Sequence, residues 1–385
     1  MNAIWRRRDR LLAISHIMGR RWLFVLGGFV LLGTFVVLFQ WHFNQRRLIS
    51  AMRADSASGN RSMIEAFPTG VVVDSDGDIY VVARKQNRIL EISAARRVTI
   101  VAGNGSRGFS GDGGLADLAS LDRPVGIAVD PLGNLYIADT GNNRIRRVDA
   151  KTRIISTIAG TGSLYGGVGK IATTRSLYQP MSVAVDANEN VYIGVTHGDA
   201  IKRVDAITHF LTNVIGAGLS GDTAALPSAD SPVWVAVDAR GKLFFSNPNR
   251  NAVYRVNSPG HDAHIIAGGS VCGFDGDGGP ANGALLCFPE ALSVSANQEL
   301  FIADTGNNRI RLVDLTTGVI TTVAGNGQAG YAGDGGLAIN ARLKGPMGIA
   351  VDRKGDVYIA DTGNNCIRLL DSRTGIITTL ADGSR

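Results

Sequence analysis

Six prolines set the frame of this chain. Pro68, Pro124, Pro180, Pro232, Pro289 and Pro346 follow one another at intervals of 56, 56, 52, 57 and 57 residues. Each precedes a short apolar run: Gly70-Val-Val-Val-Asp74, Gly126-Ile-Ala-Val-Asp130, Ser182-Val-Ala-Val-Asp186, Trp234-Val-Ala-Val-Asp238, Ala291-Leu-Ser-Val-Ser295 and Gly348-Ile-Ala-Val-Asp352. A turn follows, such as Pro131-Leu-Gly133, then second, third and fourth runs, as in Leu135-Tyr-Ile-Ala138, Ile145-Arg-Arg-Val148 and Ile154-Ile-Ser-Thr-Ile-Ala159. Short β-branched runs bounded by Gly, Asp and Asn read as strands. A four-stranded unit cannot bury both of its faces alone, so repeated units must stack. The spacing therefore predicts an all-β fold, a six-bladed β-propeller with four-stranded blades. The blades fall at about 67–122, 123–178, 179–230, 231–287, 288–344 and 345–385. The phase predicts whole blades, closed between the sixth and the first by side-chain packing alone. The alternative is that residues 52–66 add a strand.

The net charge of +6 and a pI near 9.4 invite a nucleic-acid reading, which the charge distribution excludes. Residues 1–66 hold ten Arg against Asp9, Asp55 and Glu65, a net of +7, leaving 29 basic and 30 acidic residues for the rest. Residues 22–41, WLFVLGGFVLLGTFVVLFQW, carry no charge and have Trp22 and Trp41 at the two ends. Twenty helical residues span ~30 Å, the hydrocarbon thickness of a bilayer, and tryptophan prefers the interface. A transmembrane helix is expected there, flanked by Arg20 and Arg21, after a basic cytoplasmic tail (1–21), read as amphipathic or as a solvated basic segment, and before a linker (42–66). A prompt small-x-small cleavage site is missing, which favours an anchor over a cleaved signal. Five Arg on the N-terminal side against three on the other put the N-terminus in the cytoplasm and the propeller outside it.

The runs Asp139-Thr-Gly-Asn-Asn-Arg-Ile-Arg146, Asp304-Thr-Gly-Asn-Asn-Arg-Ile-Arg311 and Asp361-Thr-Gly-Asn-Asn-Cys-Ile-Arg368, with the Gly-x-Ala-Val-Asp and Tyr-Ile-Ala-Asp runs before them, resemble the NHL repeat family. Blade one keeps only Asn87-Arg88-Ile89, and blades three and four depart from the signature. The resemblance covers about 320 residues. It implies the propeller fold and leaves function open, because one fold hosts many sites.

Antiparallel order places the loops between second and third strands and the long connections between blades on one face. Those connections carry Gly111-Asp-Gly-Gly-Leu-Ala116, Gly276-Asp-Gly-Gly-Pro-Ala281 and Gly333-Asp-Gly-Gly-Leu-Ala338. Asp112, Asp277 and Asp334 are thus candidate interaction residues. So are Trp234, where other blades have Gly, Ser or Ala; Glu290, where they have Thr, Val or Met; and His197, in the divergent blade three. Asp275 and Asp277 have the spacing of a calcium loop without its bidentate Glu, so a structural turn is the favoured reading. A metal-dependent lyase, as some propellers of this type are, would need a ring of His; His197, His209, His261 and His264 fall in two blades only. A lactonase-like hydrolase would need several inward carboxylates. Cys272 and Cys287 bracket one connection and can pair outside the cytoplasm, while Cys366 is left over. These readings point to a non-enzymatic, cofactor-free scaffold or accessory subunit at the cytoplasmic membrane. Its partners would be membrane or periplasmic proteins and the bilayer. A small-ligand or glycan-binding propeller is the alternative, followed by the hydrolase or lyase.

Overall fold

The computed structural model describes residues 67–196, 201–215, 234–258 and 262–382. The chain divides into two units, Met1–Asn60 and Arg61–Arg385, and the described residues all belong to the second. The expected tail, membrane helix and linker, with Arg20, Arg21, Trp22 and Trp41, lie outside the described residues, as does His197. Among the described residues, no helix is long and apolar enough to cross a membrane.

Alternation of β-branched and small residues produces six antiparallel sheets, each of four consecutive strands, here a to d from the axis outward. In blade one these are Pro68–Val73, Ile79–Ala83, Arg88–Ile92 and Val98–Ala102. The inner strands of blades two to six are Ile127–Val129, Pro180–Val185, Trp234–Val237, Pro289–Val294 and Gly348–Val351. Both side-chain parities of a strand are apolar because both faces of a blade are covered. In strand b of blade one, Ile79, Val81 and Ala83 pack toward blade six. Tyr80 and Val82 pack toward blade two. The core is thus six separate inter-blade layers rather than one interior.

In every blade but the fifth, which has Ser295 there, the a–b turn is organised by the Asp that follows strand a. Asp130 Oδ1 accepts from the amides of Leu132 and Asn134, and Oδ2 from Asn134 Nδ2 and the Tyr136 hydroxyl. Asp186 repeats the set with Asn188, Asn190 and Tyr192.

The long connections also cover the outer strands. Gly113 N donates to Ile155 O and Ile155 N to Gly114 O, and the pattern recurs at Gly278–Ile320 and Gly335–Ile377. Each pairing occupies an edge that would otherwise offer free backbone groups to another strand.

Ring closure corrects one expectation. The seam between blades six and one has an apolar layer, but packing does not act alone. Thr362 Oγ1 donates to Pro68 O at 2.6 Å, and Phe67 N donates to Asn365 Oδ1 at 2.7 Å. The same latch joins other blades: Thr140 to Pro180 O, Thr305 to Pro346 O, and Asn143, Asn251 and Asn308 to the amides of Gln179, Phe288 and Gly345. Each latch Asn sits in the left-handed region, with φ near 50°, which Asn tolerates.

Candidate interaction face and channel mouth

The signature Asp-Thr-Gly-Asn-Asn-Arg-x-Arg encodes a buried staple. Asp139 Oδ1 accepts from Asp122 N at 2.8 Å. Its Oδ2 accepts from Asn142 Nδ2 at 2.8 Å and from Arg146 Nη1 at 3.3 Å. Arg146 reaches on to Asp112 Oδ1 at 2.8 Å. Arg311 does the same with Asp304 (3.4 Å) and Asp277 (2.7 Å), and Arg368 with Asp361 (3.5 Å) and Asp334 (2.7 Å). The three guanidinium groups and the three inner carboxyls are fully buried, while the outer Asp side chains are a little over one-third exposed. Burial pushes Asp139 and Asp304 up to about 6, against the pull of their hydrogen bonds and of the adjacent Arg.

Asp112, Asp277 and Asp334 therefore hold their loops to a buried cation. Asp277 Oδ1 faces Arg311, and Asp275 Oδ1 accepts from Gly276 N, an arrangement suited to a turn. No group of three or more His, Cys, Asp or Glu that could hold a metal occurs among the described residues. Aromatic rings cover the staples from outside. Phe109 lies 3.7 Å from Arg144 and 4.8 Å from Arg146, and Phe274 lies 3.6 Å from Arg309 and 4.9 Å from Arg311. Tyr331 lies 4.9 Å from Arg368. Cys366 replaces the first Arg of the signature in blade six; it is buried, and burial pushes its thiol up.

Cys272 and Cys287 form a disulfide with Cα atoms 4.3 Å apart. The equivalent pair in the connection between blades one and two is Arg107 and Asp122, an ion pair at 2.8 Å. A covalent bond thus stands in blade five where blade two has a charge pair.

The six inner strands enclose an axial channel of about 220 Å³. Small residues line its decorated end because neighbouring backbones approach closely there: a Cβ on Gly126 would meet Met181 O at 2.6 Å. Trp234 breaks this rule. It is 6% exposed and packs with Val125 of blade two, Met181 of blade three and Ala291 of blade five. It lines the channel as a buried side chain. Its Nε1 has no hydrogen-bond partner among the described residues. Glu290 lies in the inner strand of the next blade, with its carbonyl accepting from Ser246 Oγ at 2.7 Å and its Oε2 buried without a partner among the described residues. Burial pushes this carboxyl up to about 7, and Arg84 pulls it down.

Arg84 was not among the residues singled out from the sequence. It occupies the position of Thr140, Thr305 and Thr362 in the other loops, so the break in the repeat was its signal. His209 lies in a c–d turn and His264 on an outer strand, away from the channel.

Two segments match family models: residues 121–148 the NHL repeat, and residues 322–385 the Teneurin NHL domain. Fold and repeats define a six-bladed propeller, and the segments that match NHL models lie in its second blade and at its C-terminal end. The chain is 28% identical over 291 residues to Protein SUPPRESSOR OF QUENCHING 1, chloroplastic, of Arabidopsis thaliana, covering 71% of this chain and 27% of that protein. It is 26% identical over 333 residues to human NHL repeat-containing protein 2, covering 82% and 40%. The chain thus spans well under half the length of these relatives. Among solved structures, a Bacteroides thetaiotaomicron protein of unknown function superposes with a TM-score of 0.59 at 20% identity, covering 78% of this chain and 68% of that one.

Proposed function

We propose that the protein is a membrane-anchored interaction module, a scaffold or accessory subunit whose propeller works outside the cytoplasm. The observation that carries this reading is the apolar character of the inter-blade connections. Phe109, Tyr165, Val168, Val271, Phe274 and Phe288 are all more than 40% exposed and all lie in these connections. Tyr165 and Val168 belong to a connection without the Gly-Asp-Gly-Gly motif and are the most exposed of the six. Exposed apolar side chains set among polar ones on these connections suit a protein-binding surface.

The reading is non-enzymatic and cofactor-free. The channel wall offers Ser182 and Ser293 as polar side chains, and both hydroxyls accept from a neighbouring blade, at Val235 N and Val351 N. The anchor rests on residues 22–41, and the Cys272–Cys287 disulfide fits an oxidising compartment.

Cross-linking and co-purification of the full chain from membranes in mild detergent test this function. The expected result is a stoichiometric membrane-protein partner that a Tyr165→Asp/Val168→Asp variant loses. A monodisperse protein that captures nothing stoichiometric, or extraction from membranes by carbonate alone, would overturn it.

A further inference from the structure

The turn between strands c and d is shorter in blade one than in its fellows, and a pocket lies beside it. In blades two, three, five and six this turn closes on a hydrogen bond of one form: Asp149 N to Ile154 O, Asp205 N to Phe210 O, Asp314 N to Val319 O and Asp371 N to Ile376 O. The second residue of each is tied to the a–b turn of its own blade. Ala150 N donates to Asn134 Oδ1, Ala206 N to Asn190 Oδ1, Leu315 N to Gln298 O and Ser372 N to Asp356 Oδ1. In blade one the closing bond runs from Ser93 N to Arg97 O, one residue less. Among the described residues, no hydrogen bond joins this turn to the a–b turn at residues 74–78.

The pocket sits at the closing seam, between this turn and blade six, and has a volume of about 350 Å³. Small-molecule sites run from about 300 to 1,000 Å³. Its apolar wall is Ile79, Ile92, Tyr358, Leu369 and Leu380. These belong to the layer that joins blades one and six, where Leu369 and Leu380 are only partly buried. Blade six is also apolar where other blades are charged. Opposite the aromatic residue of strand b, strand c carries Arg147, Arg203 and Arg255 in blades two to four, and Leu369 in blade six.

Charged residues line the rest of the pocket: Asp74, Asp76, Arg96, Asp352, Arg353 and Lys354. Two of the acids are committed to their turns. Asp74 accepts from the amides of Asp76 and Asp78 and from the Tyr80 hydroxyl. Asp352 accepts from the amides of Lys354 and Asp356 and from the Tyr358 hydroxyl. The side chains of Arg96, Arg353 and Lys354 are exposed and make no hydrogen bond or ion pair among the described residues, and of the lining acids Asp76 alone is equally free. Three uncommitted cations thus stand against one uncommitted carboxylate, beside an apolar wall.

We propose that this seam pocket binds a small amphiphilic acid, with its apolar body on the wall at Ile92, Leu369 and Leu380 and its anionic head among Arg96, Arg353 and Lys354. Burying the body removes apolar surface of ligand and wall from water. A guanidinium takes a carboxylate through paired, charge-assisted hydrogen bonds. A neutral ligand of the same shape gains the wall and not the rim, and a cationic one meets three like charges. The pocket lies among a–b and c–d turns, on the face opposite the exposed connections, and it needs no protein partner. It therefore goes beyond the interaction reading, and either can fail alone.

The test uses the full chain in mild detergent and a photoreactive acid, 4-benzoylbenzoate, with 4-benzoylbenzamide as its uncharged counterpart. Free concentrations are matched by dialysis, and adducts are mapped by peptide mass spectrometry. Saturable labelling by the acid is expected in the segments that hold Ile79, Ile92, Leu369 and Leu380, displaced by 4-phenylbutyrate and at least tenfold weaker with the amide. Arg353→Glu/Lys354→Glu should weaken labelling by the acid at least tenfold and leave that by the amide unchanged, which separates lost charge from lost fold. Leu380→Trp should fill the pocket and remove both. Saturable labelling that maps to the channel or to the inter-blade connections, equal labelling by acid and amide, no saturable labelling, or unchanged labelling of the Arg353→Glu/Lys354→Glu variant would overturn the proposal.

Discussion

Deleting the Asp139 carboxyl leaves Arg146 fully buried, with only the partly exposed Asp112 to balance it. Breaking a buried pair from one side costs about 3–5 kcal/mol, because the remaining charge is uncompensated. Asp139→Ala also strips acceptors from Asp122 N and Asn142 Nδ2, so the upper half of that range is expected. Removing both partners is different, since a buried ion pair replaced by apolar groups is often nearly neutral. The protein contains that arrangement already: blade one has Ala83 and Leu90 at the equivalent positions, both 0% exposed. Asp139→Ala/Arg146→Leu should therefore recover most of the loss, with a coupling energy of about 2–3 kcal/mol in the double-mutant cycle. Urea unfolding followed by Trp234 fluorescence measures this, provided that the slope stays constant across the four proteins. A single-variant loss below about 1 kcal/mol, or a double variant as unstable as the sum of its parts, would refute the staple.

Asn365→Ala removes the acceptor for Phe67 N at the closing seam. It should cost about 1–3 kcal/mol and speed hydrogen exchange at Phe67 more than at Gln179, whose own latch is intact. Cys272→Ser/Cys287→Ser opens a loop of 15 residues, which should cost about 3 kcal/mol in chemical denaturation. The mass of the native protein should show no alkylation of either thiol. For Glu290 the folded carboxyl titrates near 7 against a usual 4.5, so the folded state holds the proton more tightly than the unfolded one between those values. Wild-type stability should then fall as pH rises through that window. Glu290→Gln should remove the decline, so its advantage over wild type grows from pH 5 to pH 8; a constant gap would contradict the burial of this carboxyl.

Much of the architecture was legible in the repeat. Six apolar runs at a fixed period specify six stacked sheets, because period-two alternation with both parities apolar has meaning only when both faces are covered. Trp234 and Glu290 were visible as departures from the repeat. What each departure does was not visible. Trp234 departs from the small residues of the other blades, and the fold buries it in one apolar cluster with Val125, Met181 and Ala291. Asp112, Asp277 and Asp334 look like a ring of free acids, and only the fold brings Arg146, Arg311 and Arg368 to them from 34 residues away.

The staple had one unread signal in the chain itself. Asp and Arg are lost together, as Ala83 with Leu90 and as Asn247 with Tyr254, whose ring instead stacks on Phe245 at 4.8 Å. Local pattern determined the strands, the turns and the number of blades, since these depend on neighbours along the chain. Tertiary structure alone decided which charges are buried together and how the ring closes at Thr362 and Asn365. Those contacts join residues up to 298 positions apart. Their energies come from desolvation and from hydrogen bonds that exist only once the blades are assembled.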